Sequence, residues 1–331
     1  MTKPIVWMIL MLAVVASALA AMFFGSATIS VAQGWSLISG ESTSPLVETI
    51  IFQIRLPRVL LALIVGAGTA ATGAAIQGMF RNPLADPALI GVSSGAALFA
   101  AGYMVLNLHN SAWGFLGLAG SAFTGGFITT LLVLKVGQRS GTISSMLLAG
   151  IAVNAIALAG VGLFSYLSSD LQLRSVAFWA LGSFNGADWV GVQVALVIPL
   201  VVLLLYRDSQ KLNAVTLGDL EATHLGINVP RLRTRIVLYT AVITGTSVAL
   251  VGIIAFIGLV VPHLIRLMLG SNHHTVIPGS ALLGALLLLM ADTLGRVIIA
   301  PAELPVGILT ALLGGPFFIY LVVQQKGRLG I

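Results

Sequence analysis

The stretch WVGVQVALVIPLVVLLLYRDSQKLNAVTLGDLEATHLGINVPRLRTR (residues 189–235) contains both features that decide the fold of this chain. Its first part, 189–206, is almost entirely apolar and close to the ~20 residues that a helix needs to cross a bilayer. Its second part, 207–235, is polar and includes a dense group of charged side chains. These are Arg207, Asp208, Lys211, Asp219, Glu221, Arg231, Arg233 and Arg235. The pattern predicts a membrane-spanning helix that leads into a water-facing loop.

The rest of the 331-residue chain has the same apolar character. A mean hydropathy of +1.06 with only 8% charged residues lies outside the range of soluble globular domains. The apolar runs are rich in Leu, Ala, Val and Gly and lack the alternation of strands, so we predict helices and not a barrel. The fold class is therefore an all-α polytopic membrane protein, a single transmembrane domain over residues 1–331. We predict ten spans, near 5–24, 58–80, 88–107, 114–134, 143–167, 189–206, 235–255, 257–269, 277–297 and 306–324.

The distribution of basic residues predicts the orientation. The first apolar run resembles a secretion signal, but it continues through Phe24, so we predict an uncleaved first span. With the N-terminus in the cytoplasm, four basic residues lie on the outer side: Arg55, Arg58, Arg174 and Arg296. Twelve lie inside: Lys3, Arg81, Lys135, Arg139, Arg207, Lys211, Arg231, Arg233, Arg235, Arg266, Lys326 and Arg328. This bias predicts that both termini are cytoplasmic. The net charge of +6 is thus an orientation signal and does not indicate a nucleic-acid partner.

The sequence contains no constellation of catalytic or metal-binding residues. It has no cysteine, and its five histidines form no HExxH pair, so we predict neither a catalytic site nor a metal site. No Gly-Lys dipeptide occurs, which excludes a Walker A phosphate loop. If transport is driven by ATP, the ATPase must be another polypeptide. Few ionisable residues fall inside the spans, which disfavours an ion-coupled carrier but leaves it, and a purely structural scaffold, as alternatives.

Five motifs resemble the permease subunits of bacterial ATP-binding-cassette importers for iron chelates, haem and cobalamin. They are RLPRVLLALIVGAGTAATGAAIQGMFRNPLADPALIGVSSGAAL (55–98), SSMLLAGIAVNA (144–155), FWALGSFNGADW (178–189), LNAVTLGDLEATHLGINVPRLR (212–233) and a segment that begins IAFIGLVVPHLIRLMLG (254–322). Together they cover nearly everything after residue 54.

The resemblance implies a type II importer permease with about ten helices per subunit. It implies that the chain pairs with a second copy of itself and that the substrate passes along the two-fold axis. Two cytoplasmic ATPase subunits, which bind ATP and Mg²⁺, and a periplasmic binding protein would complete the importer in the bacterial inner membrane. This chain would bind no cofactor of its own, and the compound that it carries would be a substrate and not a cofactor.

The polar loop then has an expected role as the element that couples the permease to the ATPase. Gly226 suits a left-handed helix end, and Pro230 suits the start of the next helix. By resemblance, the coupling residues are Leu217, Gly218, Asp219, Leu220, Glu221, Ala222, His224, Leu225 and Gly226. The alternative is an amphipathic helix that rests on lipid headgroups.

Arginines on the outer side have an expected role in docking. Arg55, Arg58 and Arg296 match the family's arginines that meet glutamates of the binding protein. Charges on an exposed rim would steer the encounter and fix its register. The alternative is that they are interfacial anchors whose charged ends reach the membrane surface.

Small polar residues are expected to form a cytoplasmic gate. By resemblance, Asn82 and Leu84 follow the second span, and Thr142, Ser144 and Ser145 open the fifth. Ile143 departs from the family pattern, since a hydroxyl residue is expected there. Thr142 and Ser144 are equally suited to cap the fifth helix.

The cargo prediction depends on the outer segment 168–188, for which the family layout implies a short helix. The stretch QLRSVAFWALGS (172–183) resembles the haem branch, with Arg174 just before Phe178 and Trp179. An arginine from each of two subunits would face the two propionates of haem. Asp170 lies four residues before Arg174, and a helical ion pair between them is the alternative. Ferric siderophores and vitamin B12 stay open as alternative cargoes.

Overall fold

The computed structural model describes residues 3–25, 30, 33, 44–106, 108, 114–140 and 143–329, and in this part of the chain all regular structure is helical. One short 3₁₀ turn, Pro87–Ile90, follows the second helix. The helices are α1 (Lys3–Phe23), α2 (Pro45–Phe80), α3 (Val92–Val105), α4 (Gly114–Ser140), α5 (Ile143–Leu167), α6 (Asp170–Ala180), α7 (Trp189–Arg207), α8 (Ser209–Leu217), α9 (Asp219–His224), α10 (Val229–Val251), α11 (Ile257–Leu269), α12 (His273–Ile298) and α13 (Val306–Leu329).

Seven of the described helices are long and apolar enough to cross a membrane: α1, α2, α4, α5, α7, α10 and α12. Three shorter apolar helices, α3, α11 and the Val306–Tyr320 part of α13, occupy the places of the remaining predicted spans. The all-helical polytopic fold predicted from composition is therefore confirmed. That all three short helices cross the bilayer, which would make ten, stays a prediction.

Two predicted boundaries differ from the structure. The second span was expected to begin near residue 58, but α2 begins at Pro45 and passes through a π-helical turn, Ile50–Arg55, without a break. The seventh span was expected at 235–255, but α10 begins earlier because Asn228 caps it, its side chain accepting a hydrogen bond from the Arg231 amide at 3.0 Å. It also ends earlier, at Gly252, whose φ of +74° leaves the helical region.

Helix α2 is the centre of the bundle and packs most extensively against α12. The two backbones cross at glycines, since a Cβ added at Gly66 would lie 2.4 Å from the carbonyl oxygen of Gly284. One side of α2 also meets α11, where a Cβ on Gly73 would lie 1.8 Å from the Gly258 oxygen. The small residues in the second span therefore serve close packing within this subunit.

The helices at the periphery leave most of their surface uncovered. Only 17% of the apolar stretch is buried in α1 and in α5, against 78% in α2 and 72% in α10. On α5 the large exposed side chains include Leu148, Ile156 and Leu163. In a membrane protein such a face is covered by lipid or by another subunit.

Candidate functional site

The polar loop of the sequence forms two short helices, α8 and α9, joined at Gly218. This glycine has φ +148°, and the carboxylate of Glu221 lies over it, 1.8 Å from where a Cβ would be. A side chain at 218 would therefore be strained by the backbone and would displace Glu221. Gly226, two residues after the end of α9, has a φ of +79°. Around it the Ile227 amide donates to the Ala222 carbonyl at 3.0 Å, and the Gly226 amide donates to the Thr223 carbonyl at 2.9 Å. These bonds form the left-handed helix end predicted for Gly226.

Helix α9 presents an apolar face to the solvent. Leu217, Leu220 and Leu225 are 70%, 74% and 65% exposed, while Ala222 on the opposite side is fully buried. Glu221 and His224 are also exposed. Three exposed leucines within nine residues, one on α9 and one just before and after it, are typical of a docking surface for another protein.

Asp219, at the start of α9, fixes this helix to the rest of the protein. Its carboxylate accepts hydrogen bonds from Nη2 of Arg233 on α10 at 2.7 and 2.8 Å. Arg81, at the end of α2, lies 3.8 Å away on the other side, a weak and half-exposed ion pair. A displacement of α9 would therefore act first on α10 and on the turn after α2.

A buried charge network lies between the first half of α2 and the last third of α12. Arg58 binds both oxygens of Asp292, with Nη2 2.8 Å from Oδ1, and its Nη1 lies 2.9 Å from Glu303. Arg296, one turn after Asp292, lies 3.3 Å from the same carboxylate. Both arginine side chains are less than 10% exposed. The network joins α2 to α12 and to the segment before α13.

The outer arginines also hold the end of α1. Nη1 of Arg55 donates to the carbonyl of Met22 at 2.6 Å, and Nη1 of Arg296 donates to the carbonyl of Ala21 at 3.4 Å. The last carbonyls of a helix lack partners within the helix and favour a positive charge nearby. These contacts connect α1 to α2 and α12.

This burial corrects the sequence expectation of an exposed rim. Arg55, Arg58 and Arg296 are 4%, 7% and 3% exposed. The sequence predicts exposed charges here because all three residues lie near the predicted ends of spans. The described structure gives them internal partners first, and docking to a binding protein stays a prediction.

The residues expected to form a gate lie just after α2 and at the start of α5. Asn82 is exposed, and its side chain accepts a hydrogen bond from the Leu84 amide at 2.9 Å, which stabilises the turn. Ser144 and Ser145 lie in the first turn of α5. Thr142 lies outside the described residues. The two ends are neighbours, because Phe80 and Met146 line one cavity.

The outer segment forms α6, the short helix that the family layout implies. Ser169 caps it, and Gln172 reaches back to the Ser169 amide at 3.0 Å, which completes a capping box. Arg174 is exposed, and Phe178, one turn later, is 64% exposed. Trp179 turns inward and packs against a small apolar cluster around Val248. Among the described residues no ion pair joins Asp170 to Arg174, so the alternative role suggested by their spacing is not observed.

Sequence reasoning missed the internal partners of the arginines. Asp292 and Glu303 lie 234 and 245 residues from Arg58 in the sequence, and no motif or periodicity relates them to it. The contact of Asp219 with Arg233 was also missed, although both residues were placed in the same polar loop. Within the described residues no group of His, Asp and Glu has a geometry suited to a metal ion.

These features define a class: a helical membrane protein with exposed leucines on a polar segment between two of its long helices. Comparison with known proteins identifies the family. The model of the FecCD transport family matches residues 10–324, and the chain belongs to that family. It is a permease of an ABC importer, and the all-helical polytopic fold follows from that membership.

Individual relatives agree with this assignment. The chain is 43% identical over 323 residues to the hemin transport system permease protein HmuU of Yersinia pestis, covering 96% of this chain and 95% of that one. It is 40% identical over 291 residues to the vitamin B12 import system permease protein BtuC of Escherichia coli O127:H6, covering 87% and 88%.

Solved structures show the same fold. An inward-facing putative metal-chelate type ABC transporter superposes with a TM-score of 0.87 at 33% identity, covering 97% of this chain and 100% of that one. PsaBC from Streptococcus pneumoniae, solved with a Fab, has a TM-score of 0.54 at 16% identity over 86% and 94% of the two chains, a likeness of fold alone.

Proposed function

We propose that this chain is the permease of an ATP-driven importer that passes haem from a periplasmic binding protein into the cytoplasm. The observation that carries the cargo assignment is the outer helix α6, where one exposed arginine stands on an exposed apolar surface. Leu171 and Phe178 flank Arg174 along this helix, and both are largely exposed. The motif that contains them had already indicated the haem branch of the family.

The chemistry of α6 fits haem. Haem has a flat apolar macrocycle and two carboxylates, so it is matched by an apolar surface that includes a guanidinium. Arg174 has no acidic partner among the described residues, so its charge is available to a propionate. The hemin permease of Yersinia pestis supports this cargo. Vitamin B12 is the second candidate, because the B12 permeases are nearly as similar.

A second copy of the chain is part of the proposal. The uncovered face of α5 extends to Tyr166 and Leu167, which are 87% and 63% exposed, and then to α6. If this face pairs with its counterpart, an arginine from each subunit stands at the mouth of a shared pathway. Two guanidiniums would then meet the two propionates of one haem.

The cytoplasmic side of the proposal concerns a separate ATPase that binds ATP and Mg²⁺. The exposed leucines of α9 would be buried in that subunit, and Asp219 would transmit its movement to α10 through Arg233. The turn that holds Asn82 and Leu84 lies next in this chain of contacts, through Arg81. We propose that this turn and the start of α5, with Thr142, Ser144 and Ser145, form the gate.

On the outer side we propose that the binding protein docks over the ends of α2 and α12. Arg55, Arg58 and Arg296 would support this surface, since they organise the segments that form it. The permease would lie in the bacterial inner membrane with both termini in the cytoplasm.

The deciding experiment reconstitutes the permease with its ATPase and binding protein in liposomes. ATPase stimulation and uptake are measured with the binding protein loaded with hemin, with cobalamin or with a ferric siderophore. We expect the hemin-loaded binding protein to stimulate ATP hydrolysis and uptake. If only the binding protein loaded with cobalamin or with the siderophore stimulates, that compound is the cargo in place of haem. Uptake by the permease without its partners under an ion gradient would overturn the importer mechanism.

Arg174 is tested in the same system. Arg174→Gln should lower hemin-stimulated ATPase about tenfold at limiting hemin, because one charge-assisted bond to a carboxylate is lost. Asp170→Asn on the same helix is the matched control and should leave stimulation unchanged. Equal effects of the two variants would remove the cargo role of Arg174.

A further inference from the structure

A cavity of about 960 Å³ lies at the cytoplasmic end of the bundle between α2, α4, α5 and α10. Its inner wall is apolar and is formed by Met79, Phe80, Leu134 and Met146. None of the exposed leucines of the coupling face lines it. The cavity is therefore a feature beside the coupling helix and separate from its docking face.

The rim of this cavity is cationic. Its lining includes four basic residues and no acidic residue. The basic residues are Lys211, Arg231, Arg233 and Arg235. By the predicted orientation all four face the cytoplasm, at the level where the lipid headgroups of the inner leaflet lie.

Nearby carboxylates neutralise this charge only in part. Two bases share Asp208, whose Oδ1 lies 2.7 Å from Nζ of Lys211 and 3.4 Å from Nη2 of Arg235. Asp219 is taken by Arg233. Two acids thus serve three bases, and Arg231 has no ion pair among the described residues.

One further atom is without a partner. Nε of Arg233 is buried and makes no hydrogen bond to any described residue, although the Nη2 of the same guanidinium is bonded to Asp219. A buried donor without an acceptor is unfavourable by about 1–3 kcal/mol. An anion that entered the cavity could satisfy this donor.

The surroundings indicate what kind of anion fits. Leu131 and Leu132, just before Leu134 on α4, are 40% and 50% exposed. A ligand here would have its negative group among the arginines and its apolar part against Phe80, Leu134 and Met146. A free inorganic anion would leave the apolar half of so large a cavity unfilled.

We propose that this cavity binds an anionic phospholipid of the inner leaflet, with its phosphate at the arginine rim and its glycerol and upper acyl segments against the apolar wall. Basic pockets between membrane helices on the cytoplasmic side are suited to such headgroups. The site would connect the lipid to α10 and, through Arg233 and Asp219, to the coupling helix. It is independent of which cargo the importer carries.

The test measures lipid binding to the purified full-length permease by native mass spectrometry. The delipidated protein is titrated with phosphatidylglycerol, with phosphatidylcholine of the same chain length, and with phosphatidylglycerol in the presence of inorganic phosphate. We expect at least a tenfold preference for phosphatidylglycerol, since each nearby basic residue contributes to attraction of an anionic headgroup.

A pair of charge-matched variants locates the site. Arg231→Gln with Arg235→Gln removes two charges from the rim, while Lys211 still pairs with Asp208. Lys135→Gln with Arg139→Gln removes two exposed charges of α4 that do not line the cavity. The rim variant should lose phosphatidylglycerol affinity about tenfold or more, and the α4 variant should keep it. Circular dichroism and gel filtration serve as controls for the folding of both variants.

Three results would overturn the proposal: equal binding of the two lipids, equal loss in the two variants, or displacement of the lipid by millimolar inorganic phosphate. The last result would assign the rim to a free anion. Lipid extracted from the unmodified protein gives a second measurement, in which phosphatidylglycerol should be enriched over its share of the membrane and depleted in the rim variant.

Discussion

Arg58 and Asp292 lie 234 positions apart in the sequence, yet Nη2 of the arginine is 2.8 Å from Oδ1 of the aspartate. Both side chains are buried, so this pair joins the first half of α2 to the last third of α12, the two helices that pack most extensively against each other. The remaining donor of Arg58 bonds to Glu303, which brings the segment before α13 into the same network.

Removing Arg58 should destabilise the permease strongly. Arg58→Gln leaves Asp292 without its bidentate partner in a buried position, for which about 3–5 kcal/mol of stability is typically lost. The melting temperature of the detergent-solubilised chain should fall by several degrees, whereas Lys135→Gln, at an exposed position, should leave it unchanged. An unaltered melting temperature in Arg58→Gln would contradict a structural role for the network.

The buried partners of Arg58 decide which variant can test docking. Charge reversal at Arg58 cannot separate docking from folding, because it would place a third carboxylate beside Asp292 and Glu303. Arg55 is the better probe, since it donates a hydrogen bond to the neutral carbonyl of Met22. Arg55→Gln should weaken stimulation by the binding protein with little loss of stability. A loss of stability without a loss of stimulation would leave Arg55 as an anchor of α1 only.

Much of the fold follows from the sequence. Runs of apolar residues located the helices because a membrane span needs a fixed length, and Gly218, Gly226 and Pro230 marked the ends of the coupling segment because their backbones allow few alternatives. These signals are local, so a single chain is enough to interpret them.

Long-range partners could not be predicted in this way. Nothing near Arg58 in the sequence indicates Asp292, and two residues at the outer ends of spans can face lipid, solvent or each other. The start of α2 at Pro45 was also missed, because the polar residues Glu48, Gln53 and Arg55 interrupt the apolar run although the helix continues. Cavities depend on how helix ends are arranged in space, which periodicity does not report.

The ion pair between Asp219 and Arg233 should matter for coupling. Asp219→Asn removes the charge that holds α9 against α10, so we expect binding of the ATPase to persist and the uptake per ATP hydrolysed to fall severalfold. Arg233→Gln should have a similar effect, and the double variant should be no worse than either single variant, since the two residues act as one unit. Additive losses would show that they act separately.

The leucines of α9 should determine affinity for the ATPase. Leu220 is 74% exposed in the permease, so Leu220→Ala should leave its stability unchanged. If the side chain is buried in the partner, the variant should lose about 1–3 kcal/mol of binding free energy, roughly ten- to hundredfold in dissociation constant. Leu132→Ala on α4, which is 50% exposed and outside the loop, is the control. Equal binding of both variants would favour the lipid-surface alternative for α9.

The glycine crossing between α2 and α11 offers a packing test. In Gly73→Ala the new methyl would lie 1.8 Å from the Gly258 carbonyl oxygen, and only movement of a backbone can relieve this contact. We expect a loss of about 1–3 kcal/mol. In Gly120→Ala on α4 the added Cβ meets nothing within 4 Å, so stability should stay the same or increase slightly. Thermal denaturation of the two variants measures the difference.

Asp86, in the turn between α2 and the 3₁₀ helix, should make stability depend on pH. Burial raises the pKa of its carboxyl above the ordinary value of 3.8, although the carboxylate accepts a hydrogen bond from the Ala88 amide at 2.7 Å. The folded protein therefore holds this proton to higher pH than the unfolded chain does.

The sign of the effect follows from this difference in proton binding. Between the unfolded and folded pKa values the folded state binds more protons, so stability falls as the pH rises through this window and is constant above it. Asp86→Asn keeps the cap and removes the titration. The melting temperature of the variant should exceed that of the unmodified protein at neutral pH, and the two should converge as the pH is lowered toward 4. A difference that does not change with pH would contradict a titrating role for Asp86.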